Sequence, residues 1–146
     1  MERTHIREAT PSDRDAIVAF DHVVHFEPAR IPFIDRVLSS ATCLVAECEG
    51  RVVAYGSLEY TFYSNGFVSM VYVAEPERRR GIGRSLMEAL AERCTTPKLF
   101  TSTNQSNKPM QALLALLGYI PSGVIKNLDP GDPELVYFLD RRARAA

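Results

Sequence analysis

The chain has 146 residues, one domain's worth, and 46% of them are hydrophobic, enough for a proper core. The formal net charge is -1, so no global field favours nucleic acid, and what basic character there is must be local. No run approaches the roughly 18 apolar residues of a membrane span, and the charged start MERTHIREAT lacks a signal peptide's apolar run, so a soluble, cytoplasmic protein is expected.

In chain order, Thr4–Glu8 alternates and predicts a first strand. Thr10-Pro11-Ser12-Asp13 is a helix start, with a capping residue, an early proline and an acid near the dipole's positive end. That helix is expected to run through Ile17, Val18, Phe20 and Val24. The following stretch holds Pro28 and Pro32 and is less regular, and a second short helix is expected over Phe33–Ser39. Thr42–Glu47 and Arg51–Phe62 read as strands joined by a turn at Glu49-Gly50. Ser64-Asn65-Gly66 reads as a second hairpin turn, leading into the apolar, β-branched strand Phe67–Ala74. These three strands should form an antiparallel meander. Pro76 ends the ladder, and from Ile82 the residues Leu86, Ala89 and Leu90 recur at helical spacing up to Cys94. Thr95-Thr96-Pro97 stops that helix. Leu99–Thr103 follows a helical crossover and should run parallel to Phe67–Ala74. A last helix opens near Asn107, buries Met110, Leu113, Leu114 and Leu117, and ends at Gly118. Tyr119-Ile120 starts a strand, Asn127–Pro133 is a turn cluster, Glu134–Asp140 is the final strand, and the tail from Arg141 is expected to fray.

The chemistry concentrates between the strand Phe67–Ala74 and the helix that follows it. A strand runs into a cationic turn, Arg78-Arg79-Arg80-Gly81-Ile82-Gly83-Arg84, and then into a helix. Such a turn gathers backbone N–H groups at the positive end of a helix dipole, an arrangement that binds phosphate oxygens. Arginines add charge-assisted contacts. A P-loop would need Gly-Lys-Ser/Thr where this chain has Gly-Arg-Ser, and a dinucleotide fingerprint would need a third glycine where it has Leu86. Both readings fail. Cys43, Cys48 and Cys94 form no C-x-x-C pair and lie near no histidine cluster, which points to reduced, partly buried thiols rather than a metal site.

Arg78-x-x-Gly81-x-Gly83 after a strand resembles the pyrophosphate loop of the GNAT superfamily of acyl-CoA-dependent N-acyltransferases. Asn107-x-x-Met110-x-x-Leu113-Leu114-x-x-Leu117-Gly118-Tyr119 is similar to that family's second signature. The resemblance covers roughly residues 3 to 140, with the specific motifs in 67–119. It implies a single α+β domain over 1–146, an αβα sandwich whose mixed, mostly antiparallel twisted sheet splays at a central parallel pair. It implies acetyl-CoA as co-substrate and no metal. It also implies that Arg78, Arg79, Arg80, Gly81, Ile82, Gly83, Arg84 and Ser85 hold the pyrophosphate. The pantetheine arm would pair with the backbone of Val71, Tyr72 and Val73 and meet Asn107. A main-chain N–H near Tyr72, freed by a bulge, would polarise the thioester.

Acyl transfer to an amine also needs a base, since a primary amine near pKa 10 is mostly protonated at neutral pH. Glu59, on the strand beside the central one, is the first candidate; Glu47, His22 and His25 are weaker ones, and Tyr72 could line the cleft. Many members of the resembling family carry a Tyr seven residues after the Asn to protonate the leaving thiolate. Here that position is Leu114, so either no acid is needed, or Tyr119 or Ser106 serves, or activity is slow or lost. The reading is therefore transfer of an acetyl group to a small-molecule amine or peptide acceptor, with no nucleic acid and no membrane partner. A non-catalytic acyl-CoA-binding module is the alternative, and a nucleotide-binding regulator a remote third. The C-terminal strand could add to a partner's sheet and form a homodimer.

Overall fold

A computed structural model describes residues 3–144. Seven strands form one sheet in the order β1-β2-β3-β4-β5-β7-β6. They are β1 Thr4–Glu8, β2 Thr42–Cys48, β3 Arg51–Phe62, β4 Asn65–Val73, β5 Lys98–Asn104, β6 Ile120–Ile125 and β7 Glu134–Asp140. Four helices accompany them: α1 Arg14–Phe20, α2 Arg30–Ser40, α3 Ile82–Arg93 and α4 Lys108–Leu116. The sheet is mixed and mostly antiparallel, with β4 and β5 as its parallel pair. The described residues group into two compact units.

The first unit runs up to Leu58 and takes in Met70–Glu92. Its core joins Ile17 of α1, Ile34 and Val37 of α2, Cys43 and Val45 of β2, and Tyr55 of β3, with Met70 and Tyr72 of β4 packed against it. The next residue along β3, Gly56, faces the other way, onto Leu90 of α3. Strand alternation thus puts α1 and α2 on one face and α3 on the other.

Two helix boundaries differ from expectation here. α1 ends at Phe20, because Asp21 is extended and its carboxylate caps a separate 3-10 turn, His22–His25. Val24 still packs on the core, but from that turn rather than from the helix. α2 begins at Arg30, earlier than expected, with Pro32 in its first turn, where a missing N–H breaks no helical bond.

The second unit holds Glu59–Ser69 and the chain from Arg93 onward. β7 pairs along its length with β5, Lys98↔Asp140 to Asn104↔Glu134, and on its other side with β6. The last strand is therefore interior rather than available to a partner, and β6 is the edge. Phe62 stacks on Phe67 and tilts against Phe100, which in turn tilts against Phe138, with centroids 4.9 to 5.2 Å apart.

The second hairpin turn is displaced from Ser64-Asn65-Gly66. Its two central residues are Tyr63 and Ser64, both with positive φ, and Asn65-Gly66 already belongs to β4. Gly66 is needed for closeness instead: a Cβ there would collide with Cys94 Sγ, and its N–H donates to Thr96 Oγ1 at 2.9 Å. Nor does the tail fray at Arg141. Arg141 N–H donates to Pro97 O, its guanidinium donates to Thr96 O, and Arg141–Arg144 forms a 3-10 turn. Residues 145 and 146 lie outside the described residues.

Candidate active site

β4 and β5 pair only over Gly66↔Leu99, Phe67↔Phe100 and Val68↔Thr101, where Thr101 Oγ1 also donates to Val68 O at 2.9 Å. β4 continues to Val73 beyond the last of these pairs, and β5 continues to Asn104 paired with β7. The ladder between the two parallel strands thus stops short of Val71, Tyr72 and Val73.

In the first unit, β4 leads into the basic turn. Ala74 N–H still donates to Val53 O, then Glu75–Glu77 forms a 3-10 turn. Arg79 (φ 66°) and Gly81 (φ 79°) take left-handed backbone, which reverses the chain into α3. Buried Ile82 anchors the helix start. The first helical bond is Ser85 N–H to Gly81 O, 3.0 Å, and Ser85 Oγ donates to the same carbonyl. The N–H groups of Ile82, Gly83 and Arg84 precede it, as the opening donors of any helix must. A Cβ on Gly83 would sit 3.8 Å from Val73 Cγ2, an ordinary contact, so the protein itself does not demand glycine there.

The arginines of the turn are committed differently. Arg78 Nε donates to Val73 O at 2.9 Å, and its guanidinium lies 5.2 Å from the Tyr72 ring centroid. Arg80 donates to Glu77 at 3.0 Å, and the buried Glu77 also faces Arg51 at 3.6 Å. Arg84 pairs with Glu88 one helical turn on, at 3.5 Å.

Tyr72 sits at the centre of a cluster that spacing along the chain did not reveal. Its ring stacks on Phe20 and tilts against Tyr55, and Arg30 approaches it at 5.6 Å. Its hydroxyl oxygen accepts the N–H of His22 at 3.2 Å. Through Tyr55 and Arg30 the cluster reaches fully buried Asp21, which accepts from Tyr55 Oη at 2.6 Å, Arg30 Nε at 2.8 Å and Val23 N–H at 3.1 Å. Burial, and then the hydrogen bond to Asp21, push the Tyr55 phenol well above its ordinary range. His22 Nδ1 lies 3.8 Å from Glu75, and His25 stands beside it with ring centroids 6.3 Å apart. Asp21, Arg30, Tyr55, Glu75 and Glu77 all escaped sequence reading.

The other candidates have surroundings of their own. Glu47 is bound to Arg7 at 2.8 Å, within a group that also holds Asp13. Glu59 lies half-buried on β3, just past Leu58, the last residue paired to β2, and belongs with the second unit. Asn107, also in the second unit, is exposed and caps α4 by accepting Met110 N–H at 3.2 Å. Leu114 is completely buried and Tyr119 nearly so. Ser106 gives its hydroxyl to Asp132 at 2.6 Å. Among the described residues no cluster could hold a metal ion, and no helix is long and apolar enough to cross a membrane.

Comparison with known proteins bears on this geometry. Residues 9–119 match the acetyltransferase (GNAT) family. A GNAT-family acetyltransferase structure from Bacillus cereus is 30% identical, with TM-score 0.87, covering 94% of this chain and 97% of that one. Ribosomal-protein-alanine N-acetyltransferase from Brucella melitensis is 25% identical, with TM-score 0.77 over 93% and 99% of the two chains. The protein yncA from Salmonella typhimurium, solved with its cofactor acetyl-CoA, shares the fold at 22% identity and TM-score 0.75, over 94% and 93%. A search of curated proteins found no match. The family match spans most of the chain and the Bacillus cereus structure nearly all of it, so this chain belongs to the acetyltransferase (GNAT) family.

Proposed function

We propose that this protein transfers an acetyl group from acetyl-CoA to a primary amine by direct attack, with both substrates bound together. The observation that carries the reading is the turn before α3. It combines left-handed Gly81, three N–H groups ahead of the first helical bond and a set of arginines, directly after the stretch of β4 that lacks a β5 partner. A Cβ at Gly81 would meet no protein atom within 4 Å, so the space above the turn is open to a ligand. These features fit a phosphate ester.

In this reading acetyl-CoA supplies an acyl group activated as a thioester. Arg78, Arg79, Arg80, Gly81, Ile82, Gly83, Arg84 and Ser85 hold its pyrophosphate, chiefly through N–H groups. The free edge of Val71, Tyr72 and Val73 orients the pantetheine arm in strand-like fashion, and Asn107 is available to it through its side-chain amide. A main-chain N–H near Tyr72 faces the thioester oxygen. Glu59 is proposed as the base that takes the amine's proton, with His22, beside Glu75, as the second candidate. Leu114 is sealed in the core and cannot donate a proton. A thiol of pKa about 8.5 is a tolerable leaving group without an acid.

The test is acceptor-dependent release of CoA thiol across amines, amino acids and short peptides, with cofactor binding followed by calorimetry. The Brucella melitensis relative acts, by its name, on an alanine of a ribosomal protein, so peptides beginning with alanine enter the panel first. Loss of release in Glu59→Gln, with binding intact, would identify the base; full activity there would move the role to His22. Buried Leu114 favours one other reading, an acyl-CoA-binding module without turnover, and tight binding with no release to any acceptor would support it.

A further inference from the structure

The arginines of the turn are not equivalent as ligands. Arg78 is tied to Val73 O and laid on the Tyr72 ring, Arg80 is neutralised by Glu77, and Arg84 by Glu88. Arg79 stands between two residues pinned back onto the protein. It is exposed, and among the described residues no hydrogen bond or ion pair engages its guanidinium. Its backbone is left-handed, φ 66°, a conformation a non-glycine residue rarely adopts, in a turn already bent at Gly81.

Acetyl-CoA carries two chemically different phosphate groups. The pyrophosphate is a bridging diester, suited to close backbone and N–H donors. The ribose 3′-phosphate is a monoester, close to a dianion at neutral pH, and branches away from the bridge. A solvent-facing guanidinium beside an amide-lined turn suits the second group, and the Arg79 N–H is left for the first. We propose that Arg79 reads the 3′-phosphate and makes the protein selective for CoA thioesters over 3′-dephospho-CoA thioesters. The proposal rests on the acetyl-CoA reading above.

The experiment is calorimetric titration of acetyl-CoA and acetyl-3′-dephospho-CoA into wild type, Arg79→Ala and Arg79→Gly, with thermal unfolding of each protein without ligand. The glycine variant removes the cation while accepting the positive φ, so it separates loss of charge from distortion of the turn. Wild type should prefer acetyl-CoA about tenfold, as a charge-assisted pair would give. Both variants should lose that preference by binding acetyl-CoA more weakly and the dephospho compound unchanged. An intact preference in Arg79→Gly, or equal weakening of both ligands, overturns the proposal and leaves the acetyl-CoA reading standing. Wild type that binds neither ligand overturns both.

Discussion

At the scale of single residues, two buried carboxylates organise the first unit by different means. Asp21 satisfies a phenol, a guanidinium and a backbone N–H at once. Removing one member of such a group strands the others, which typically costs about 3–5 kcal/mol. Asp21→Ala should therefore lower the melting temperature by roughly 10 °C, at about 2–4 °C per kcal/mol for a chain this size. A change of only a degree or two would mean the network adds little. Asp13 receives two hydrogen bonds from Arg7 at 2.9 Å and one from Thr10 N–H. The Arg7 guanidinium holds its carboxyl below the usual carboxylate range. A group whose pKa is depressed by folding contributes stability above its unfolded value, about 3.9, and loses that contribution as pH falls through the folded value. Melting curves of wild type should fall between pH 5 and pH 3 more steeply than those of Asp13→Asn; parallel curves would remove Asp13 from the acid response. Cys43 is buried and its thiol is pushed up to about 12, chiefly by that burial and then by the charge of Asp13. Cys48 and Cys94 are buried too. A thiol reagent near pH 8 should find almost no reactive cysteine in the folded protein and all three after denaturation.

At the scale of elements, regular structure was legible wherever the pattern was local. Arg51–Phe62 and Glu134–Asp140 could be bounded from alternation alone, and Asn107 and Gly118 marked the ends of α4. Where tertiary contact chose between local options, the sequence misled. Asn65-Gly66 has the composition of a hairpin turn, yet packing against Cys94 uses Gly66 inside the strand and forces Tyr63 and Ser64 into left-handed backbone. The apolar spacing through Val24 was real as a pattern of burial but not as one helix, because Asp21 breaks the backbone to reach Tyr55 and Arg30. One substitution separates fold from ligand at α3. Gly83→Ala enters a helix without a clash and should stabilise it by about 1 kcal/mol. If phosphate packs on that backbone, the same change should weaken acetyl-CoA binding at least tenfold, a gain in melting temperature with a loss of affinity. Unchanged affinity would place the phosphate elsewhere along the turn.

At the scale of the whole molecule, the two halves of the chemistry were unequally readable. The turn proposed to hold the cofactor is contiguous and rests on backbone conformation, so Arg78–Ser85 could be put forward from the sequence. The surroundings of Tyr72 come from α1, the turn after it, α2, β3 and β4, and no spacing encodes that convergence. Glycine and helix signals lie along one stretch of sequence; a cluster such as that around Tyr72 is made of side chains that meet only after folding. Sheet order has its own test. Because β7 lies between β5 and β6, a chain ending at Asn127 would leave both without that neighbour. It should lose cooperative unfolding; cooperative melting of the shorter chain would contradict this reading of the strand order.

The place of β7 also sets a timetable. A nascent chain emerges from its amino end, so β6 is made before the strand it pairs with, while β5 has been waiting still longer. Until Glu134–Asp140 appears, Ile120, Val124 and Ile125 form an unclaimed hydrophobic margin, and they stay exposed even in the finished fold. Crowded synthesis would make this segment the moment of greatest hazard in the protein's life, and the one where a chaperone would have most to gain by holding on.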